Sequence, residues 1–365
     1  MPLYDMANSK LKKYGWIHNN LSIDEQMIPY TGMHSAKQTL REKTVRFGYK
    51  SFVLTSSDGY CYHTIPYEGA KTGSYHPGVV GKDLSKRMVC DLMLEVEELH
   101  STTVTMDNWY SSPELIACLG YAGTCARATC RADRLLNAPV LNNKDLAKQV
   151  RGFTSSAVSD RCGVLLTRWQ DNACVTMLTN CDNVGPTDEV KRYDGERRDN
   201  VWLQRPAPIS HYNKDMGGVD LLDRRVAEYR IRIKSKKWWW PHLTNTLQIL
   251  LVCSYKLYMI GNPTSKLDLL GYIREVTVSL LPDTTSERSW RPYVRRKLSH
   301  GGARVSSSVR LGGREHWPEK VMGKYGLHCA IPECKSRVRT KCSICSDVGL
   351  CIGECWKKFH SVRSL

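Results

Sequence analysis

The sequence predicts an α/β domain followed by a small, metal-dependent one. Two observations carry this. Across residues 45–128 the local patterns run strand, strand, helix, strand, helix, strand, an order that builds a sheet with helices packed on it. Then six of the 15 cysteines crowd between residues 329 and 355, in a stretch too poor in apolar residues to form a core of its own. At 365 residues, with 41% hydrophobic and 24% charged content, the chain is globular and can bury one large core or two medium ones.

The elements follow from local pattern. Residues 45–54 and 59–67 are rich in β-branched and aromatic side chains, and Ser56-Ser57-Asp58-Gly59 between them signals a turn, so they pair as strands. Residues 82–99 place Val89, Leu92, Met93 and Val96 at helical spacing. Residues 102–106 are a short β-branched run that stops at Asp107. Ser111-Ser112-Pro113-Glu114 opens a helix, with serine at the cap and proline in its first turn. Residues 122–128 read as a further strand, 133–158 as a polar loop or insertion, 163–169 and 174–179 as two strands, and 182–206 as a charged loop. An apolar helix runs to Ile260 and stops at Gly261-Asn262-Pro263, and residues 267–281 add another. Residues 284–313, rich in Ser, Arg and Gly, read as a basic linker. Residues 11–15 and 21–27 resemble the middle of an element rather than a beginning, so a preceding segment is expected.

Charge narrows the function. The net charge is +17 and the pI about 9.2. From residue 285 onward 17 Lys and Arg oppose 6 Asp and Glu, which is +11 of that total. A polyanionic partner is the simplest reason for such an excess, and a basic tail of this kind also serves as a nuclear import signal. The N-terminus lacks the apolar core of a secretory signal. The most apolar segment, residues 243–260, is interrupted by Thr244, Asn245, Thr246, Gln248 and Lys256 and reads as a buried helix, not a membrane span. An odd cysteine count without secretory context implies a reducing compartment.

Two stretches carry chemistry. In the first, residues 211–225, Gly217-Gly218 precedes Asp220 and Asp223, whose spacing puts both carboxylates on one helical face. Lys234, Lys236, Lys237 and Trp240 follow in a cationic, aromatic run. Carboxylates beside such a run suit divalent metal held against a phosphate backbone; the same acids beside Arg224 and Arg225 also suit a solvated face with ion pairs. Asp107, at the end of a strand, is either a site residue or a helix cap. Arg295, Arg296 and Lys297 belong to the basic tail and suit phosphate contacts. In the second stretch, Cys329-x4-Cys334, Cys342-x2-Cys345 and Cys351-x3-Cys355 precede His360. Close thiolate pairs are what tetrahedral Zn2+ requires. Seven ligands do not fill two sites, so His316 or His328 supplies the eighth. In an interleaved arrangement Cys329, Cys334, Cys351 and Cys355 share one ion, and Cys342, Cys345, His360 and His316 the other.

These motifs resemble the piggyBac transposase family, including its transposable element-derived members. The resemblance rests on Leu21-Ser-Ile-Asp-Glu-Gln-Met-Ile-Pro-Tyr, His34-Ser-Ala-Lys-Gln, Val45-Arg-Phe-Gly-Tyr-Lys, Met106-Asp-Asn-Trp-Tyr-Ser-Ser, Tyr212-Asn-Lys-Asp-Met-Gly-Gly-Val-Asp-Leu-Leu-Asp, Lys236-Lys-Trp-Trp-Trp-Pro and the cysteine tail. It implies a ribonuclease-H-like catalytic domain over residues 1–283, with a strand-rich insertion at about 134–211, a linker at 284–313 and a zinc-binding domain at 314–365. It implies double-stranded DNA as partner, with transposon ends or TTAA targets and hairpin intermediates, a homodimer, and a nuclear location. It also implies an Asp triad holding Mg2+, with Asp107 second, Asp220 third, Asp223 accessory and Trp240 near the DNA ends. Counting back from Tyr67-Glu68-Gly69, the first Asp falls on Thr55. Either Asp58 replaces it by a shifted register or the centre is incomplete, and geometry decides whether Asp58 or Asp24 reaches the other acids. The expected function is therefore DNA binding by a transposase-derived protein with an incomplete centre. The alternatives are an active DNA transposase, or a cysteine-rich module that contacts chromatin proteins.

Overall fold

The computed structural model describes residues 2–281 except 16–17, 41–44, 70–71, 74–82, 97–98, 136, 196 and 234, and beyond them residues 305, 307–312, 316–321, 326–345 and 348–361. The chain divides into two compact units, Met1–Leu280 and Leu281–Leu365.

In the first unit, helix α1 (Pro2–Tyr14) precedes strands β1 (Asn20–Pro29), β2 (Gln38–Thr39), β3 (Phe47–Ser56) and β4 (Cys61–Pro66). Helix α2 (Leu84–Met93), β5 (Thr103–Met106), α3 (Pro113–Tyr121) and β6 (Cys125–Thr129) follow. Strand β4 pairs with β3, β3 with β1, β1 with β5 and β5 with β6; the first two pairings are antiparallel and the last two parallel. This is the ribonuclease-H-like sheet that the resemblance implied. Ser112 caps α3 as the sequence predicts, accepting from the Leu115 amide at 3.2 Å.

The central strand is the one the sequence pattern does not assign. Along β1 the odd residues Leu21 and Ile23 enter the main core and Met27 is buried, while Ser22 and Gln26 are buried on the other face. Buried polar groups must find partners, and these do: Ser22 Oγ donates to the Met216 carbonyl and Gln26 to Asp223. Polar residues satisfied from a neighbouring helix hide the strand from a hydrophobicity pattern.

The insertion also differs from its predicted form. After a short helix α4 (Asn143–Leu146), strands β7 (Thr154–Val158), β8 (Leu165–Gln170) and β9 (Cys174–Thr179) join the main sheet through β6–β9 pairing. The stretch expected to be a charged loop is a hairpin, β10 (Asp188–Asp194) with β11 (Asp199–Arg205). Its alternation is real but polar on both faces, so it lacks the apolar signal of a strand. Leu203 anchors it against Trp169, Ile209 and Tyr212.

Helices α5 (Ala207–Asp215), α6 (Gly218–Glu228), α7 (Trp239–Gly261) and α8 (Leu269–Leu280) complete the unit. Among the described residues no helix is long and apolar enough to cross a membrane. The expectation of reduced cysteines meets one exception: Cys125, at the start of β6, and Cys181, just past β9, form a disulfide.

In the second unit, α9 (Ser307–Arg310) and two small hairpins, β12 (Pro318–Lys320) with β15 (Thr340–Cys342) and β13 (Leu327–His328) with β14 (Arg337–Val338), surround helix α10 (Glu354–Ser361). Their core is small: Ile331, Leu350 and Phe359 are its largest wholly apolar members. Arg310, only 3% exposed, donates to the Phe359 carbonyl and lies over its ring. The packed unit therefore includes residues ahead of the expected boundary at 314.

Candidate active site and metal centres

Strands β1 and β5 run parallel with Ile23 opposite Met106. One step on, Asp24 and Asp107 lie side by side, on neighbouring chains spaced about 4.8 Å apart. Ser22 faces Thr105 in the same register, so Asp24 and Asp107, two residues on from each, share that face. Each carboxylate accepts from an amide of its own loop or strand, Asp24 from Glu25 N at 2.7 Å and Asp107 from Trp109 N at 2.8 Å. Two tyrosines register their joint charge. Burial pushes the Tyr212 hydroxyl up to about 12, and Asp107 and Asp24 add to the rise. Burial raises Tyr110 well above the usual tyrosine value too, with Glu25, Asp24 and Asp107 adding.

Helix α6 brings the next pair. Gly218 lets its first turn settle directly on the sheet: a methyl group there would collide with the Ser56 carbonyl and the Thr55 hydroxyl. Ser22 bonds Met216 just before α6, and Gln26 bonds Asp223 within it, so strand and helix run in the same direction. Asp24, midway between Ser22 and Gln26, therefore falls at the level of Asp220. Asp220 and Asp223 line a cleft of about 320 Å³ with Glu25, Met27, Val45, Arg224, Ala227 and Arg230. The preceding helix is tied down by a buried network. Asp215 accepts from Asn20 at 3.2 Å and from Arg127 at 3.4 Å, and Arg127 also chelates Asp182 at 2.6 and 3.0 Å.

The two other candidates for the first acid lie elsewhere. Thr55 is fully buried beneath Gly218, with its hydroxyl 3.4 Å from the Ser22 carbonyl. It is a packing residue under α6, not a vacated ligand position. Asp58 sits in the β3–β4 turn, level with the start of β1, where Ser57 N bonds the Asn20 carbonyl. That is four residues, about 13 Å along the strand, from Asp24. Its carboxylate is paired with Lys256 on α7 at 2.8 Å. By strand register and helix direction it is thus Asp24, not Asp58, that falls at the level of Asp107 and Asp220. Sequence reasoning left Asp24 open beside Asp58 and ranked Asp58 first. The only signal was the apolar set Leu21, Ile23 and Met27, broken at Glu25 and too weak to mark the strand that puts Asp24 on its polar face.

Between α6 and α7 the chain exposes Arg232, Lys236, Lys237, Trp238 and Trp239. Trp240 is held inward: its indole donates to the Ile233 carbonyl at 3.0 Å. The loop is fixed to the sheet by Tyr30, which donates to the Lys236 carbonyl at 2.6 Å, and by His34, stacked on Trp238 at 5.5 Å. Lys237 lies 5.6 Å over the Trp239 ring. Lys234, Arg295, Arg296 and Lys297 lie outside the described residues.

In the second unit the eight predicted ligands gather into two groups, His316, Cys342, Cys345 and His360, and Cys329, Cys334, Cys351 and Cys355, with the ligand atoms of each within 4.8 Å of one another. This is the interleaved pairing. Cys334 and Cys351 have their sulfurs 3.7 Å apart, close to the ~3.8 Å edge of a tetrahedron with 2.3 Å metal–sulfur bonds. His316 Nδ1 faces Cys342 and Cys345 at 3.2 and 3.5 Å. His360 turns Nε2 to Cys345 at 3.6 Å while its Nδ1 is held by the Trp356 carbonyl at 2.9 Å, the outer contact that fixes a ligand imidazole. Each group can hold one metal ion.

A family model described as Transposase IS4 matches residues 1–255, well over half of the chain. The chain belongs to this transposase family. PiggyBac transposable element-derived protein 3 of Homo sapiens is 28% identical over 99% of this chain and 58% of its own length. PiggyBac transposable element-derived protein 2, also human, is 26% identical over 78% of this chain and 49% of its own. The chain thus spans about half the length of these relatives. A piggyBac transposase solved in a synaptic complex with hairpin DNA superposes with a TM-score of 0.64, at 19% identity, over 80% of this chain and 58% of that one. The piggyBac resemblance read from the sequence is borne out, and with it the ribonuclease-H-like fold of this transposase domain.

Proposed function

We propose that the first unit cuts and joins DNA strands by metal-dependent phosphoryl transfer, with Asp24, Asp107 and Asp220 as the cation-holding acids. The observation that supports this most is the register that sets Asp24 beside Asp107 on the face covered by α6. The donors are hard carboxylate oxygens, which suits Mg2+. Divalent cations held there by Asp24, Asp107 and Asp220 would supply charge to the attacking and leaving oxygens of a phosphodiester. The chain's own residues do the rest. Glu25 N and Trp109 N orient the two strand carboxylates. Arg224 and Arg230, lining the adjoining cleft, together with Lys236 and Lys237 on the neighbouring loop, offer cations to the strand backbone. The reading of an incomplete centre rests on Thr55 and the short N-terminus; the placement of Asp24 on the face shared with Asp107 supports a complete acid set instead.

In the second unit one donor set is all cysteine and the other pairs two cysteines with two histidines, and both suit Zn2+. We assign that unit to DNA binding through its basic surface. Transposon ends with TTAA targets, a homodimer and a nuclear location extend the same reading. The human relatives are transposable element-derived proteins and the solved neighbour holds hairpin DNA, which agrees with it.

The test is hairpin-oligonucleotide and plasmid cleavage with Mg2+ or Mn2+. Asp24→Asn, Asp107→Asn and Asp220→Asn are each expected to lower the rate roughly 100-fold or more while DNA affinity stays. If the wild-type chain binds DNA but cleaves nothing with either metal, the binding-only reading stands instead.

A further inference from the structure

Beside the acidic trio lies a second contact that the chemistry does not use. Gln26 is 1% exposed and Asn245 is 4% exposed. Asn245 Nδ2 on α7 donates to Gln26 Oε1 at 2.7 Å, and Gln26 Nε2 on β1 donates to Asp223 Oδ1 on α6 at 2.5 Å. A carboxylate only accepts, so it dictates which end of the Gln26 amide faces it. The oxygen at the other end then demands a donor, which Asn245 provides. The polarity of the chain is therefore set from Asp223 outward, across three elements.

Its position matters. Gln26 is two residues past Asp24 on the same face of β1, and Asp223 is three residues past Asp220 on the same face of α6. The Gln26–Asp223 bond lies one step along strand and helix from the level at which Asp24 and Asp220 fall. The length of that bond bears on how far α6 stands from β1 at that level.

We propose that Gln26, oriented by Asn245, is a positioning residue that fixes Asp223 and through it the distance of Asp220 from Asp24. Asp223 then serves as a tie between helix and strand, not as a further carboxylate for the cation. This rests on the acid-site reading above.

Mn2+ titration of the full chain, with its cysteine clusters loaded and Asp24→Asn as the site control, tests it. Asp223→Asn keeps an acceptor for Gln26 and is expected to hold Mn2+ within about threefold of wild type, whereas Asp223→Leu loses about tenfold. Gln26→Glu sets two carboxylates against each other and is expected to lose about tenfold. Adding Asp223→Asn to Gln26→Glu restores binding, because the new amide turns to donate to Glu. Asp223→Asn losing as much as Asp24→Asn, or the double variant doing no better than Gln26→Glu, overturns the proposal. Should Gln26→Glu not fold, the comparison of Asp223→Asn with Asp223→Leu decides it. Thermal melting without Mn2+, run on the same variants, reads the tie by itself. If wild type shows no Mn2+ binding that Asp24→Asn removes, it is the acid site that fails, and the melting series still accepts or rejects the tie.

Discussion

Single residues in this protein are decided by register more than by type. Asp24 and Asp58 are both acids next to β-strand signals, yet one faces Asp107 across a parallel pair and the other closes a turn onto Lys256. Asp58→Asn is therefore expected to leave metal-dependent cleavage within about twofold of wild type. The lost half-exposed ion pair is expected to lower stability by no more than roughly 1 kcal/mol. A cleavage assay run beside Asp24→Asn checks the first, and thermal melting the second. His242 gives a second case. It is buried, and accepts at Nδ1 from Tyr4 at 2.6 Å; burial, then nearby His34, pushes its pKa down to about 4. Tyr4, itself raised to about 12 by burial, stays protonated and keeps donating. In the unfolded chain the imidazole takes up its proton near pH 6.5, while in the folded chain it does not until about pH 4. Stability from this residue is thus whole above pH 6.5 and is lost as pH falls from there toward 4, by about 2 kcal/mol between pH 8 and pH 5. Denaturant unfolding at those two pH values is expected to show this loss, and a His242→Phe variant to lack it.

At the scale of elements, α6 depends on its first residue. Any side chain at 218 meets the Ser56 carbonyl and Thr55, both fixed in β3. Gly218→Ala is expected to cost roughly 1–3 kcal/mol through overpacking and, by lifting the helix, to weaken Mn2+ binding at Asp220. Calorimetric melting and Mn2+ titration of that variant check the two effects separately. The same scale shows why some of the fold was legible and some not. Strands β3, β4, β8 and β9 and helices α3 and α7 carry apolar patterns at the right period, and the sequence reads them. Strand β1 has Ser22, Asp24, Glu25 and Gln26 along it, because its environment is polar on the α6 face; its central place emerges only with the sheet. The hairpin of β10 and β11 packs only Val190, Val201 and Leu203 inward, too few among charged neighbours to read as a strand pattern. The site was half legible for the same reason. Asp107 and Asp220 stand at element boundaries that local signals mark, while Asp24 depends on a strand those signals do not give. The cysteine spacing signalled a metal-binding tail, but it left the pairing and the choice of His316 or His328 open, and only the fold gathers His316 with Cys342, Cys345 and His360.

For the whole molecule the decisive contrast is between two units stabilised differently. Met1–Leu280 buries a continuous core spread over both faces of a nine-stranded sheet. The second unit has a handful of apolar side chains and eight metal-ligand candidates in two groups. A unit with so little core would draw most of its folding free energy from metal held by those two groups. A strong chelator at neutral pH is therefore expected to unfold residues 305–361 while the first unit keeps its transition. Hydrogen exchange would show protection lost at Leu350 and Phe359 and retained at Ile23 and Val104. Because the tail holds +11 of the net +17 charge, the chelated protein keeps its cations but not the surface that arranges them. DNA affinity is expected to fall steeply between 50 and 200 mM salt in the intact protein, by roughly 10³-fold or more if six or so phosphates are contacted. After chelation the affinity drops and its salt dependence becomes shallower, because fewer phosphate contacts form at once. An affinity measured across that salt range that is the same before and after chelation would mean that the folded second unit contributes nothing to the contact with DNA.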